Sequence, residues 1–266
     1  MTVTVAVAQF AAGLDKVENT KLVREAITTA ADAGAQLVIT PEMTMYFDQK
    51  GVGTDPNYAE PLDGPFVTAV REAARAAGVT AVVGRAEAVP GDSRAYNTLA
   101  AVGPDGALLG SYRKIHLYDA FGYAESDKIV PAEITEPLTF DLGDLTFGAM
   151  TCYDVRFPEM ARRLVDAGAN ALVLPAAWAA GPAKEDHWTT LIRARAIENT
   201  CYVLAAGQTG PLCTAQSVVV DPMGTVLASA GEQPGFALTT IGSARVDQVR
   251  AVNPSLANRR FLVTPA

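Results

Sequence analysis

Gly34-Ala35-Gln36-Leu37-Val38-Ile39-Thr40-Pro41 is echoed in the second half of the chain by Gly168-Ala169-Asn170-Ala171-Leu172-Val173-Leu174-Pro175. Each copy follows an amphipathic stretch. Before the first, Val17, Leu22, Val23, Ala26, Ile27 and Ala30 recur at helical spacing within Asp15–Ala33; before the second, Pro158–Ala167 reads as a helix. The glycine suits the left-handed residue that ends a helix. Leu37–Thr40 and Ala171–Leu174 carry no charge and read as short buried strands. The expectation is two similar α/β halves facing each other around a pseudo-twofold. Gly-Ala suits any α-to-β turn, so coincidence is the alternative.

Outward from these segments the alternation continues. Thr2–Gln9, Thr80–Arg85, Leu145–Thr151, Cys201–Ala206 and Phe236–Val246 read as strands, and Phe66–Ala77 and Asp186–Thr200 as helices. Alternation alone would give parallel sheets. Two hairpin signals interrupt it. Tyr96–Val102 and Ala107–Tyr112 flank Pro104-Asp105-Gly106, and Ser217–Val220 and Thr225–Ser229 flank Asp221-Pro222-Met223-Gly224. The sheets are therefore expected to be mixed. The fold class is α/β, with two mixed sheets face to face and helices outside. No long Gly/Ser/Pro-rich linker divides the chain, so one domain over 1–266 is expected, with an irregular end at Asn253–Ala266.

Of 266 residues, 49% are hydrophobic and 19% charged, a balance that suits a large core. Twenty-one Lys and Arg against 29 Asp and Glu leave a net charge of −8, which disfavours nucleic acid and anionic membrane as partners. The N-terminus lacks the basic region of a signal peptide, and no uncharged apolar run is long enough to span a bilayer; a cytoplasmic protein is the expectation. Cys152, Cys201 and Cys213 form an odd set without CxxC, and only His116 and His187 are present, so neither a disulfide framework nor a metal site is expected.

Three polar residues follow apolar strands directly: Glu42 after Leu37–Thr40, Lys114 after Ala107–Tyr112, and Cys152 after Leu145–Thr151. In α/β sheets ligands bind at the carboxyl ends of strands. A thiolate attacks a carbonyl carbon, a carboxylate can take the thiol proton and return it to a leaving amine, and an ammonium can hold the oxyanion. The N–H of Tyr153, just after the thiol, would be a second oxyanion donor. Such a set cleaves a carbon–nitrogen bond through a thioester and needs neither metal nor organic cofactor. Singly the three are ambiguous. Cys152 could be a small buried apolar group, Glu42 a carboxylate at a helix N-terminus, and Lys114 part of a solvated edge beside Arg113.

With these residues in place, the chain resembles the nitrilase superfamily of carbon–nitrogen hydrolases over nearly its whole length. The likeness runs through Val5–Gln9, Pro41-Glu42, Arg113-Lys114-Ile115-His116-Leu117, Cys152-Tyr153-Asp154-Val155-Arg156-Phe157-Pro158-Glu159, Arg195-Ala196-Ile197-Glu198-Asn199 and Asp221-Pro222-Met223-Gly224. The resemblance implies a four-layer α-β-β-α sandwich, Glu42 as base, Lys114 as oxyanion stabiliser, Cys152 as nucleophile and Glu125 as a group that orients substrate or Lys114. It also implies a homodimer, for which Pro158–Ala167, Asp186–Thr200 and the tail 253–266 are candidate interface elements. Lys114–Asp119 and Cys152–Phe157 are most similar to the amidase branch that contains omega-amidases and deaminated glutathione amidase. The implied substrate is a small-molecule amide, hydrolysed to carboxylate and ammonia. An N-carbamoyl amide hydrolase and a catalytically silent binding protein of the same fold are the alternatives. One departure is Ala215-Gln216-Ser217 where many members carry Gly-His-Ser.

Asp154 and Arg156 are expected to pair with each other or with Glu159, which would fix the turn that presents Cys152. Alternatively Arg156 binds a substrate carboxylate. His116 could instead form a Cys–His pair with Cys152. Tyr118, Phe121 and Tyr123 could close over the substrate, and Trp178 could wall the pocket. His187, Cys201 and Cys213 read as structural.

Overall fold

The computed structural model describes residues 1–48 and 58–265. The chain starts with β1 (Thr2–Gln9), α1 (Lys16–Asp32), β2 (Leu37–Ile39), α2 (Pro65–Ala77), β3 (Thr80–Ala88), β4 (Ala95–Val102) and β5 (Leu108–Arg113). A small hairpin of β6 (Asp119–Ala120) and β7 (Tyr123–Ala124) comes next, then β8 (Thr139–Leu142) and β9 (Leu145–Ala149). The second half continues with α3 (Pro158–Asp166), β10 (Ala171–Ala176), α4 (Lys184–Asn199), β11 (Tyr202–Gly207), β12 (Val218–Val220) and β13 (Val226–Ser229). It closes with β14 (Gly235–Gly242) and α5 (Ser243–Val252).

Two six-stranded sheets result, ordered β14-β1-β2-β3-β4-β5 and β13-β12-β11-β10-β9-β8. In the first, β1, β2 and β3 run parallel, flanked by antiparallel β14 and the hairpin β4–β5. In the second, β9, β10 and β11 run parallel, flanked by antiparallel β8 and the hairpin β12–β13. The two halves thus share one topology. The Gly-Ala echo marks equivalent points of it. Gly34 and Gly168 take φ of 94° and 101° after their helices. The side-chain amide of Gln36 then accepts from Thr4 N at 3.1 Å, and that of Asn170 from Thr146 N at 3.0 Å. Each amide residue locks the second parallel strand to the first, a shared task that coincidence does not supply.

Local chemistry fixes the helix ends. The Asp15 carboxylate caps α1 through Val17 N and Glu18 N, Pro65 and Pro158 open α2 and α3, and Gly78 closes α2 at φ 66°. The sheets pack against each other through Val5, Val7, Leu37 and Ile39 on one side and Phe147, Val173, Tyr202 and Leu204 on the other, all buried. A second apolar layer, with Val23, Ile27, Val67 and Val70, seats α1 and α2 on the outer face of the first sheet. The expected four-layer α-β-β-α sandwich of two mixed sheets is the observed fold.

One expectation changes, and one strand had none. The strand expected over Phe236–Val246 ends at Gly242, and α5 follows, because Val246 and Val249 are three residues apart and both turn inward. The short edge strand Thr139–Leu142 gave no sequence signal; only pairing with β9 defines it.

Gly84 in β3 is needed for the turn after β2. The Gly84 carbonyl accepts from Thr44 N and Thr44 Oγ1, both at 2.8 Å. A Cβ there would lie 2.6 Å from Met43 N, 2.7 Å from Glu42 Cα and 2.8 Å from the Pro41 carbonyl oxygen. These are backbone atoms and cannot step aside. Gly84→Ala is therefore expected to destabilise the fold by about 1–3 kcal/mol, read from the urea midpoint, and to shift Glu42. Unchanged stability would disprove the close approach.

Candidate active site

Glu42, Lys114, Glu125 and Cys152 come from four separate segments and meet between the sheets. Glu42 opens the turn that follows β2, and residues 42–48 are not helical, so it is not a helix N-terminal carboxylate. Lys114 follows β5 and is 1% exposed, which removes the solvated-edge reading. Glu125 opens a 3-10 turn, Glu125–Asp127, after β7. Cys152 opens another, Cys152–Arg156, two residues beyond Met150.

The three charged groups form one buried network. Lys114 Nζ donates to Glu42 Oε1 at 3.0 Å and to Glu125 Oε1 and Oε2 at 3.1 and 2.9 Å. Glu42 Oε2 accepts from Ala177 N at 2.7 Å, and Glu125 Oε2 from Tyr118 N at 2.7 Å. Asn97 Nδ2 bridges Glu42 Oε1 and Glu125 Oε1 at 2.7 and 3.1 Å. Burial opposes the Lys114 charge, but Glu125 and Glu42 outweigh it and hold the ammonium well above the usual lysine range. Burial, then the Glu42 charge and a hydrogen bond to it, push the Cys152 thiol well up, with Lys114 pulling the other way. The resting sulfur is therefore a thiol that faces a carboxylate. Cys201 and Cys213, in contrast, are pushed by burial to about 12.

Cys152 sits at φ 47°, a left-handed conformation uncommon for a side chain with a Cβ. The turn behind it is tied down by Asp154, which accepts from Thr151 N at 2.9 Å, Tyr112 Oη at 2.7 Å and pairs with His116 Nδ1 at 2.8 Å. The expected Asp154 pairing with Arg156 or Glu159 is thus replaced. Asp154 does fix the turn, but its partners come from β5 and the segment after it, because the second sheet's turn faces that strand end. His116 is stacked on Phe157 at 3.8 Å and held by Asp154, which leaves no room for the Cys–His alternative.

Tyr118, Cys152, Tyr153, Ala177, Trp178, Ala179 and Lys184 line a narrow cleft of about 230 Å³, its open mouth included. Arg156 stands at its rim, 4.7 Å from the Trp178 ring centre, 5.5 Å from Phe121 and 5.9 Å from Tyr153. Its Nη2 is 3.3 Å from His187 Nδ1, so His187 supports Arg156 as well as packing in α4. Lys184, overlooked in sequence, is 5% exposed; its Nζ donates to Tyr118 Oη at 2.7 Å and lies 3.6 Å from the Phe121 ring centre. Burial and the neighbouring Arg156 push its ammonium below the usual range. Phe121 and Tyr123 remain 68% and 43% exposed at the tip of the β6–β7 hairpin. A larger groove between α4 and β12–β13, lined by Trp188, Ile192, Val218 and Val220 among others, lies apart from Cys152 and its charged partners.

The departure at Ala215-Gln216-Ser217 lies beneath this site. Ala215 and Gln216 take φ of 56° and 59°, where glycine would be favoured. Ser217 Oγ still accepts from Gly207 N at 2.8 Å, and the next residue, Gln208, donates from Nε2 to the Glu42 carbonyl at 2.9 Å.

Residues 4–251 match the carbon-nitrogen hydrolase family. The chain belongs to that family, within the nitrilase superfamily. It is 38% identical over 258 residues to deaminated glutathione amidase of Escherichia coli O157:H7, covering 97% of each chain. Nit3 of Saccharomyces cerevisiae, a nitrilase superfamily member, superposes with a TM-score of 0.85 at 26% identity, over 98% of this chain and 97% of that one. A glutamate-to-glutamine variant of an amidase from Nesterenkonia sp. AN1 superposes with a TM-score of 0.79 at 27% identity, over 97% of both chains. That variant carries the acetamide moiety of fluoroacetamide on its active-site cysteine. The enzyme described here is thus a carbon-nitrogen hydrolase, and among its described residues no helix is long and apolar enough to cross a membrane.

Proposed function

We propose that this protein is a cysteine amidase that converts a small carboxamide to a carboxylate and ammonia. The observation that carries the reading is the Cys152 thiol, set against Glu42 and Lys114 at the floor of an open cleft. Glu42 takes the thiol proton as Sγ bonds the amide carbon. Lys114 and the Tyr153 N–H hold the oxyanion; the first N–H groups of a helical turn have no partner within it. Collapse breaks the C–N bond, and the proton on Glu42 goes to the departing nitrogen, which leaves as ammonia. Water then gives a proton to Glu42 and attacks the thioester carbon, and the expelled sulfur recovers that proton. Ammonia release by wild type across a panel of amides, and none by Cys152→Ala, is the expected result. Equal release by both would overturn the reading.

The acyl group of the substrate is proposed to carry a carboxylate. Arg156 and Lys184 place two cations at the cleft, and among the described residues no carboxylate is bonded to either; Arg156 Nε is buried without a partner. Similarity to deaminated glutathione amidase agrees, since a glutathione derivative carries free carboxylates. A dicarboxylic acid monoamide should therefore be preferred in kcat/KM over its neutral diamide. Arg156→Met should narrow that ratio roughly 10–100-fold, the value of a hydrogen bond to a charged group. An unchanged ratio would remove Arg156 from substrate recognition. Carbon dioxide among the products would point to the N-carbamoyl alternative.

The protein is also proposed to be a homodimer. Phe261 and Leu262 in the tail after α5 are 88% and 83% exposed, and Ile197 on α4 is 43% exposed. Burial of such apolar surface favours association. Light scattering at micromolar concentration should give twice the chain mass; a monomer would contradict the proposal.

A further inference from the structure

Asn97, in β4, carries no charge and no reactive group, yet it is 1% exposed at the centre of the charged network. Its Nδ2 gives one hydrogen bond to Glu42 Oε1 and one to Glu125 Oε1. The reverse amide orientation would set its oxygen against two carboxylates, so the donor side is fixed by charge. Its own Oδ1 is buried with no partner among the described residues. Buried polar groups in native structures are nearly always paired. An asparagine kept only for packing would not leave its acceptor orphaned while both donors serve carboxylates.

The donors divide the two oxygens of Glu42 unequally. Oε1 accepts from both Asn97 and Lys114, which saturates its two lone pairs. Among the N–H donors of the described residues, only Ala177 N bonds Oε2, which leaves a lone pair there for the Cys152 thiol. The free lone pair is therefore on Oε2. A second lysine in place of Asn97 would also join the carboxylates, but it would discharge the base. An amide joins them and leaves their charge intact.

We propose that Asn97 is a positioning residue for Glu42: it saturates Oε1 so that Oε2 receives the Cys152 proton, and it holds the two carboxylates side by side without neutralising either. The inference rests on Glu42 being the base. Among the described residues, the titratable groups that interact with Glu42 include Lys114 after β5, Glu125 in its 3-10 turn, Cys152 in its own turn, Tyr123 of β7 and Cys213 in the loop after β11.

The test uses Asn97→Leu, which keeps size and removes both donors, and Asn97→Asp, which reverses the electrostatics. Alkylation of Cys152 by iodoacetamide is followed by mass spectrometry against pH, which requires no knowledge of the substrate. Loss of a donor to the charged carboxylate should move the acid limb of the profile up by about one pH unit in Asn97→Leu, and further in Asn97→Asp. On the best amide, kcat should fall about 10²-fold through misplacement of the base, with a smaller change in KM. In a Glu42→Gln background Asn97→Leu should add little further loss, since both act through one group. If Asn97→Leu does not fold, Asn97→Ser removes one donor with less disturbance. An acid limb that stays in place in every folded variant, or a full additional loss in the Glu42→Gln background, would overturn the proposal. Absence of ammonia release by wild type would count against the amidase reading instead, and the alkylation profile would still decide the role of Asn97.

Discussion

The contact on which the site depends is Lys114 between Glu42 and Glu125. Two carboxylates buried side by side repel each other and lose their hydration. One ammonium, bonded to both, makes their burial tolerable. Removing one partner of a buried pair costs about 3–5 kcal/mol, because the remaining charge is stranded. Backbone N–H groups from Tyr118 and Ala177 and the amide of Asn97 complete the set of donors. The network still carries one more negative charge than positive. Burial first, and the Glu42 charge after it, push the Cys152 thiol well up, beside a carboxylate that the proposed mechanism uses to receive its proton.

Neither half of the molecule contains the site. The first sheet supplies Glu42, Asn97 and Lys114; the second supplies Cys152 and the segment after β10 with Ala177 and Trp178. The halves share a topology but differ in chemistry at equivalent points. After β2 comes a turn with an acid; after β10 comes a backbone N–H that binds that acid. The pairing of Glu42 with Ala177 is therefore also a contact between the two sheets. Asp154 adds a second tie, from the Cys152 turn to Tyr112 and His116 at the end of β5. Fold and site are stabilised by the same bonds, so a substitution such as Gly84→Ala acts on both.

Much of this was legible before the structure. Apolar strands bounded by glycine and proline announce themselves locally, and a polar residue at the end of such a strand has few structural reasons to be there. Glu42, Lys114 and Cys152, which the structure brings together, were singled out that way. Asn97 was not, because one amide within Tyr96–Val102 looks like an ordinary break in an apolar run. Lys184 was not, because a lysine at the start of a helix is normally a solvated residue. The pairing of Asp154 was misjudged for a related reason: its partners come from another sheet, while sequence neighbours offered nearer charges.

By itself the sequence determined most of the strands and helices and the two-fold repetition of the α/β unit, and it singled out the candidate reacting groups. Those follow from periodicity and from residue types, which are properties of short segments. Only the tertiary structure decided which oxygen of Glu42 is free, that Asn97 joins two carboxylates, and that Arg156 and Lys184 turn toward the cleft. Those depend on distances of about 3 Å between residues far apart in the chain, and hydrogen bonds lose their strength within a fraction of an ångström beyond that.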